Sequence, residues 1–182
     1  MKRRGEITLI SGSVGSGKTT FCTHVIDAIR NSTNPAWQIR GILAPAVLEG
    51  DTKTGIDALD LATGERRRLA QRRSDSASGI MTKEWSLDRD TIDWCNQVLR
   101  AAVPCDMLVV DELGPLEFER DGGFQEGLTA LDSGRFQAAL VVVRMELLHY
   151  AEARWPDAAA YSIRNRDHAL ASAVQFAAGI QR

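Results

Sequence analysis

Eight residues constrain this chain more than any others: Gly12-Ser13-Val14-Gly15-Ser16-Gly17-Lys18-Thr19. They lie between a short apolar run, Ile7-Thr8-Leu9-Ile10, and a stretch in which Phe21, Val25 and Ile29 recur at helical spacing. Strand, glycine-rich turn and helix in that order make an anion cradle. Glycines permit positive φ and let the backbone approach oxygen atoms closely. Successive N–H groups then line one concavity, and the following helix adds the positive end of its dipole. The pattern Gly12-x-x-x-x-Gly17-Lys18-Thr19 matches the phosphate-binding P-loop at every fixed position. Lys18 is expected on the β- and γ-phosphates, with Thr19 offering its hydroxyl to Mg²⁺ and Thr20 continuing the phosphate contacts.

The rest of the chain alternates strand and helix signals. Ile39 to Ala44 and Ile56 to Leu61 read as strands, the second with apolar and polar residues in alternation. Turn residues at Glu49-Gly50-Asp51 and Thr63-Gly64-Glu65 separate such runs, and Asn31 to Ala36, with Pro35, reads as a loop. Residues 39–85 are therefore expected to form a β-rich insertion. Ile92, Cys95, Leu99 and Ala102 predict a helix stopped by Pro104, and Phe124, Leu128 and Leu131 another. Met107 to Val110 and Ala138 to Val143 are continuous apolar runs, typical of strands covered on both faces. A short strand over 159–163 and a closing helix from about Asp167, carrying Leu170, Val174 and Ala177/Ala178, complete the pattern. The expectation is one α/β domain over 1–182: a three-layer P-loop NTPase fold with a mainly parallel sheet and the small β-rich insertion.

The apolar run ending at Val110 is followed by Asp111-Glu112. An acidic strand end beside a phosphate loop is a Walker B element. Asp111 is expected to hold Mg²⁺ with Thr19. Glu112, whose side chain leaves the strand on the opposite side, is expected to orient or deprotonate an attacking water. Adjacent Asp and Glu also suggest the branch of NTPases in which an extra strand separates the two Walker strands. Asn165 and Arg166 follow the last short strand, where base or ribose contacts are expected.

Composition narrows the partners. The 182 residues carry a net charge of -2, which predicts no bulk attraction to nucleic acid or an anionic membrane. No apolar stretch approaches the length of a membrane span, and Ser11 and Gly12 interrupt the N-terminal run. A cytoplasmic location follows as the default. Cys22, Cys95 and Cys105 have neither zinc nor disulfide spacing and read as small buried residues. His24, His149 and His168 are scattered, and Trp37, Trp85, Trp94 and Trp155 read as packing residues. Arg66-Arg67-Arg68 and Arg72-Arg73 read first as a solvated hairpin rim, with a phosphate-reaching lid and a nucleic-acid patch as alternatives. Arg144, just past an apolar strand, reads as a salt-bridge partner or a γ-phosphate sensor.

With both phosphate-site elements in place, the chain resembles the THEP1 family of small P-loop nucleoside-triphosphatases. The resemblance rests on Gly17-Lys18-Thr19-Thr20, the segment Arg40-Gly41-Ile42-Leu43-Ala44-Pro45 and the segment from Gly55 to Glu65. Arg68-Leu69-Ala70, the run from Val110 to Glu117 and Asn165-Arg166-Asp167 extend it in the family order. Two places depart from the family pattern. Met81-Thr82-Lys83-Glu84-Trp85-Ser86-Leu87 stands where a Gly-Lys-Tyr stretch is usual, and Leu116 stands where Met is usual. The resemblance implies a RecA-like fold and Mg²⁺-dependent hydrolysis of ATP and other nucleoside triphosphates to diphosphate and phosphate. The residues themselves leave two other readings open. One is a nucleotide or small-molecule kinase, which needs a second pocket from the insertion. The other is a nucleotide-dependent switch whose slow hydrolysis times contact with a protein partner.

Overall fold

The computed structural model describes residues 5–32, 37–73, 79–82 and 84–180. Residues 33–36 of the expected Asn31 to Ala36 loop, and Lys83 within the first departure from the family pattern, lie outside the described residues.

The strands are β1 (Glu6–Ser11), β2 (Ile39–Leu43), β3 (Ala46–Glu49), β4 (Thr52–Asp60), β5 (Arg66–Arg72), β6 (Ile80–Met81), β7 (Trp85–Leu87), β8 (Met107–Leu113), β9 (Ala138–Val143) and β10 (Ala159–Ser162). The helices are α1 (Lys18–Arg30), α2 (Arg89–Ala101), α3 (Pro115–Glu119), α4 (Gln125–Ser133), α5 (Leu148–Arg154) and α6 (Arg166–Ile180). One ten-stranded sheet runs in the order β10-β1-β9-β8-β2-β4-β5-β7-β6, with β3 paired to β4. From β10 to β2 the pairings are parallel, and beyond β2 they are antiparallel. The strand β9 stands between β1 and β8, so the two strands that carry the phosphate loop and the acidic end are separated by one.

Two cores flank the sheet. On one face α1 and α6 cover Ile10, Met107, Val109 and Leu140. On the other, α2, α4 and α5 cover Leu9, Leu108, Val110 and Val141. Consecutive residues of β8 are thus buried on opposite faces, as its unbroken apolar sequence requires. The parallel part of the sheet, from β10 to β2, lies between two helical layers in the expected α/β architecture.

The sequence pattern groups β2 with the β-rich segment, but β2 pairs in parallel with β8 and belongs to the central sheet. The antiparallel part starts at Ala46 and runs to Leu87, extending the same sheet by an edge. Gly41 explains the close fit of β2. Its φ is +116°, and a Cβ there would sit 2.0 Å from the Val109 carbonyl oxygen.

The closing helix uses a different face from the one its large apolar residues suggest. Ala169, Ala173 and Ala177 are buried, whereas Leu170 is 46% and Val174 66% exposed. Small side chains spaced four apart let α6 lie close against α1, and the larger residues turn outward. Phe21, Tyr161 and Phe176 clasp α1, β10 and α6 together, with ring centroids 5.2–5.3 Å apart. Ala173→Leu is therefore expected to lower unfolding free energy by about 1–3 kcal/mol through overpacking, and Val174→Ser to stay within about 0.5 kcal/mol. Urea denaturation of the two variants checks the assignment, and the reverse order of effects would refute it.

Candidate phosphate-binding and hydrolytic site

The loop after β1 takes positive φ at Gly12 (151°), Gly15 (76°) and Gly17 (98°). Gly12 is also confined by space: a Cβ would lie 2.4 Å from the Ile163 carbonyl oxygen beyond β10. Val14 is fully exposed at the loop tip, Ser13 and Gly15 are exposed beside it, and Ser16 is buried. Gly17 caps α1 without a side-chain hydrogen bond, and the first turn of α1 carries no acidic residue. Its leading N–H groups are thus left for an anion. Thr19 and Thr20 sit half-buried in that first turn. Lys18 Nζ folds back to donate to the Gly12 and Ser13 carbonyls at 3.0 and 2.9 Å. Burial pushes its pKa down, while the nearby Glu112 and Asp111 carboxylates oppose that shift.

Asp111 is completely buried near the end of β8. Its Oδ2 accepts from the Ala44 amide at 2.9 Å, which ties the end of β2 to the site. Its Oδ1 has no hydrogen-bond partner among the described residues, and neither does Ser16 Oγ. Burial raises the Asp111 pKa to about 6, with the Glu112 charge adding to the rise. The Ala44 amide, the Thr19 hydroxyl and the Lys18 ammonium pull it back. Thr19 lies near enough to act on the carboxyl electrostatically, but Oδ1 has no partner of hydrogen-bond geometry among the described residues, which suits a divalent cation better than a structural role. No cluster of three His, Cys, Asp or Glu side chains exists among the described residues. A cation here would therefore take most of its oxygens from phosphate and water, as Mg²⁺ commonly does.

Glu112 stands where β8 departs from regularity. Val110 pairs with Val141 and Leu113 with Val143, so three residues of β8 advance against two of β9. Glu112 has φ 78°, an uncommon value for a non-glycine residue. The expected simple alternation of side chains thus gives way to a bulge, which re-aims the carboxylate. Backbone strain of this kind concentrates at functional positions. Arg144, at the end of β9, forms an ion pair with Glu112 at 3.5 Å, with both side chains over a third exposed. The acid expected to neutralise Arg144 is therefore Glu112 itself.

The segment after β8 is pinned by a group that the sequence reading passed over. Glu117 is buried and accepts from the Gly114 and Phe124 amides at 2.7 and 2.8 Å. Burial raises its pKa and the amide hydrogen bonds offset the rise. Gly114-Pro115-Leu116-Glu117 carried the signal: proline at a helix start and glutamate two residues on, able to cap it.

Of Asn165 and Arg166, the second lies against Gly17 of the phosphate loop. Asn165 Oδ1 accepts from the His168 amide at 2.8 Å and so caps α6. The Arg166 backbone passes close to Gly17, and its side chain is exposed.

Several other polar groups have structural partners. Arg68 and Arg66 pair with Asp57, and Arg67 pairs with Glu65 and lies over Trp94. Arg72 lies over Trp85, so these four form the solvated rim of a hairpin. Trp155 is buried and donates Nε1–H to Asp132 at 2.9 Å. Cys22 and Cys95 are buried and Cys105 is half-buried, with burial pushing Cys95 and Cys105 up to about 12. Such thiols are unreactive.

A family model described as NTPase matches residues 7–172. The chain belongs to the THEP1 nucleoside-triphosphatase family. A THEP1 nucleoside-triphosphatase of Pyrobaculum aerophilum is 30% identical over 71% of this chain and 70% of its own length. Its counterpart from Methanopyrus kandleri is 30% identical over 61% of this chain and 59% of its own. The match thus spans about three-fifths of that relative's length. Two solved structures share the fold. The solution structure of a human cancer-related nucleoside triphosphatase superposes with TM-score 0.71 at 17% identity, covering 97% of this chain and 98% of that one. The crystal structure of THEP1 from Aquifex aeolicus gives 0.69 at 15% identity, covering 97% and 99%. No helix among the described residues is long and apolar enough to cross a membrane.

Proposed function

We propose that the chain is an Mg²⁺-dependent nucleoside-triphosphatase that converts ATP and other nucleoside triphosphates to diphosphate and inorganic phosphate. The observation that carries this reading is the buried Asp111, with Oδ1 unpartnered among the described residues, followed by Glu112 held on a bulge. A site built only to bind phosphate has no use for a buried carboxylate with one oxygen left over and a second carboxylate re-aimed beside it.

The amides of Gly12 to Thr19 hold the phosphate oxygens, and Lys18 exchanges its two loop carbonyls for the β- and γ-phosphates. Thr19 and Asp111 would hold Mg²⁺, which would supply charge neutralisation on the phosphates. Glu112 positions a water in line with the γ-phosphorus and takes its proton. Arg144 leaves Glu112 for the γ-phosphate, so that nucleotide itself frees the base. Asn165 and Arg166 are assigned to the base or ribose, Asn165 through the amide nitrogen that its capping role leaves over. Free thiols suit a cytoplasmic enzyme. Nucleic acid is not required, and a protein partner remains open.

The test is phosphate release by the pure protein with Mg²⁺ and each of ATP, GTP, CTP and UTP. Steady release without any acceptor is expected, falling at least about 10²-fold in Lys18→Ala. Full activity in that variant, or none in the wild type, would sink the proposal.

A further inference from the structure

A cleft of ≈ 240 Å³ opens beside the hydrolytic site, between the antiparallel strands and the segment after β8. Its lining includes Glu112 and Arg144. Its walls are mostly apolar, with Leu69, Trp85, Ile92 and Phe124 among them, and Thr82, Glu117 and Arg120 add polar groups. None of its lining residues comes from the phosphate loop, β10 or α6. The cleft is therefore separate from the nucleotide cradle and meets it at Glu112 and Arg144.

Away from its polar groups the apolar stretch of the cleft serves water poorly, because water needs two to four polar partners. Its volume falls just under the roughly 300–1,000 Å³ of drug-sized ligand pockets, which suits a small ring compound. Trp85 and Phe124 contribute aromatic surface to the lining that such a body contacts. A ring lodged there with its polar end inward presents that end to Glu112. We propose that this cleft is an acceptor site for a small aromatic alcohol, and that the chain transfers the γ-phosphoryl group to its hydroxyl as well as to water.

The step balances without another reactant. The alcohol oxygen forms a bond to the γ-phosphorus, and the bond from that phosphorus to the β,γ-bridging oxygen breaks. The diphosphate leaves with the electron pair, and the hydroxyl proton passes to the Glu112 carboxylate. The products are a phosphate monoester and a nucleoside diphosphate. This inference rests on the hydrolase reading, since it uses the same nucleotide and the same base.

The full chain is incubated with Mg²⁺, γ-³²P-labelled ATP and either 2-phenylethanol or indole-3-ethanol. Ethylbenzene serves as the ring without a hydroxyl. A labelled monoester that rises to saturation with alcohol, while free phosphate falls in step, is expected. Ethylbenzene is expected to reduce phosphate release and give no ester. Trp85→Ala is expected to raise the alcohol concentration for half-saturation at least about five-fold, with Trp85→Leu used if the alanine variant does not fold. Three results overturn the proposal. One is the absence of ester while Glu112-dependent phosphate release persists, which leaves the hydrolase intact. Another is ester formation indifferent to Trp85. The third is a rise in the KM for ATP caused by the alcohols, which would put the nucleoside in the cleft. Absence of phosphate release in every arm instead marks failure of the hydrolase reading itself.

Discussion

Glu112→Gln is expected to reduce phosphate release by about 10²–10⁴-fold, the range general-base catalysis supplies, while nucleotide affinity changes only a few-fold. The amide keeps the size and the backbone demands of the glutamate, so the bulge and its φ of 78° survive. It loses the ability to accept a proton and the ion pair with Arg144. That pair lies between partly exposed groups, so its loss alone has little effect on folding. Stopped-flow binding of a fluorescent nucleotide, run beside phosphate release, separates the two effects. A loss of binding equal to the loss of rate would mean that Glu112 holds nucleotide rather than activating water. Unchanged release would remove it from the mechanism.

Asp111→Asn is expected to abolish hydrolysis and, at the same time, to stabilise the nucleotide-free protein. The wild-type carboxyl titrates at about 6 in the fold, against 3.8 as the reference value for an unfolded aspartate. A raised folded pKa means that the native state binds the proton more tightly than the unfolded state. Its stabilising contribution is complete below pH 3.8 and is lost as pH climbs through about 6. At pH 7.5 the penalty comes to about 3 kcal/mol, an upper figure because the shift is that of a fully buried group. The asparagine can still accept from the Ala44 amide, so it sheds the buried charge and keeps the tie. Thermal melts at pH 7.5 and pH 4 check this. The variant should melt higher than wild type at the first pH and about equally at the second. A variant that melts lower at pH 7.5 would show that the carboxylate is structural, and retained hydrolysis would remove it from the metal site.

Much of the site was legible because its chemistry fixes residue types. A loop whose amides must face phosphate needs glycine at set intervals, and Gly12, Gly15 and Gly17 all take positive φ. A strand covered on both faces must be apolar throughout, so the carboxylates that end β8 stood out. The separation of β1 from β8 by β9 was suggested by the Asp-Glu pair, and the strand order shows it. Other features had no local signature. The bulge at Glu112 depends on how β8 registers against β9, which no pattern within β8 records. The face of α6 was misread because periodicity counts large apolar residues, while close packing against α1 selects alanines. The place of β2 was hidden for a similar reason: a strand pattern does not say which neighbour it pairs with, and the partner was β8. Arg144 and Glu112 meet across two adjacent strand ends, a contact that only the strand order creates. The cleft beside them is likewise a product of the whole sheet, with walls drawn from β4, β5, β7, α2 and the segment after β8.

The central claim is that water held by Glu112 attacks the γ-phosphorus of a nucleotide seated in the loop. Turnover of ATP in ¹⁸O-labelled water tests it most directly. The account predicts a single ¹⁸O in each inorganic phosphate released and none in the diphosphate. Label in the diphosphate, or label entering phosphate at the same rate in Glu112→Gln, would contradict it.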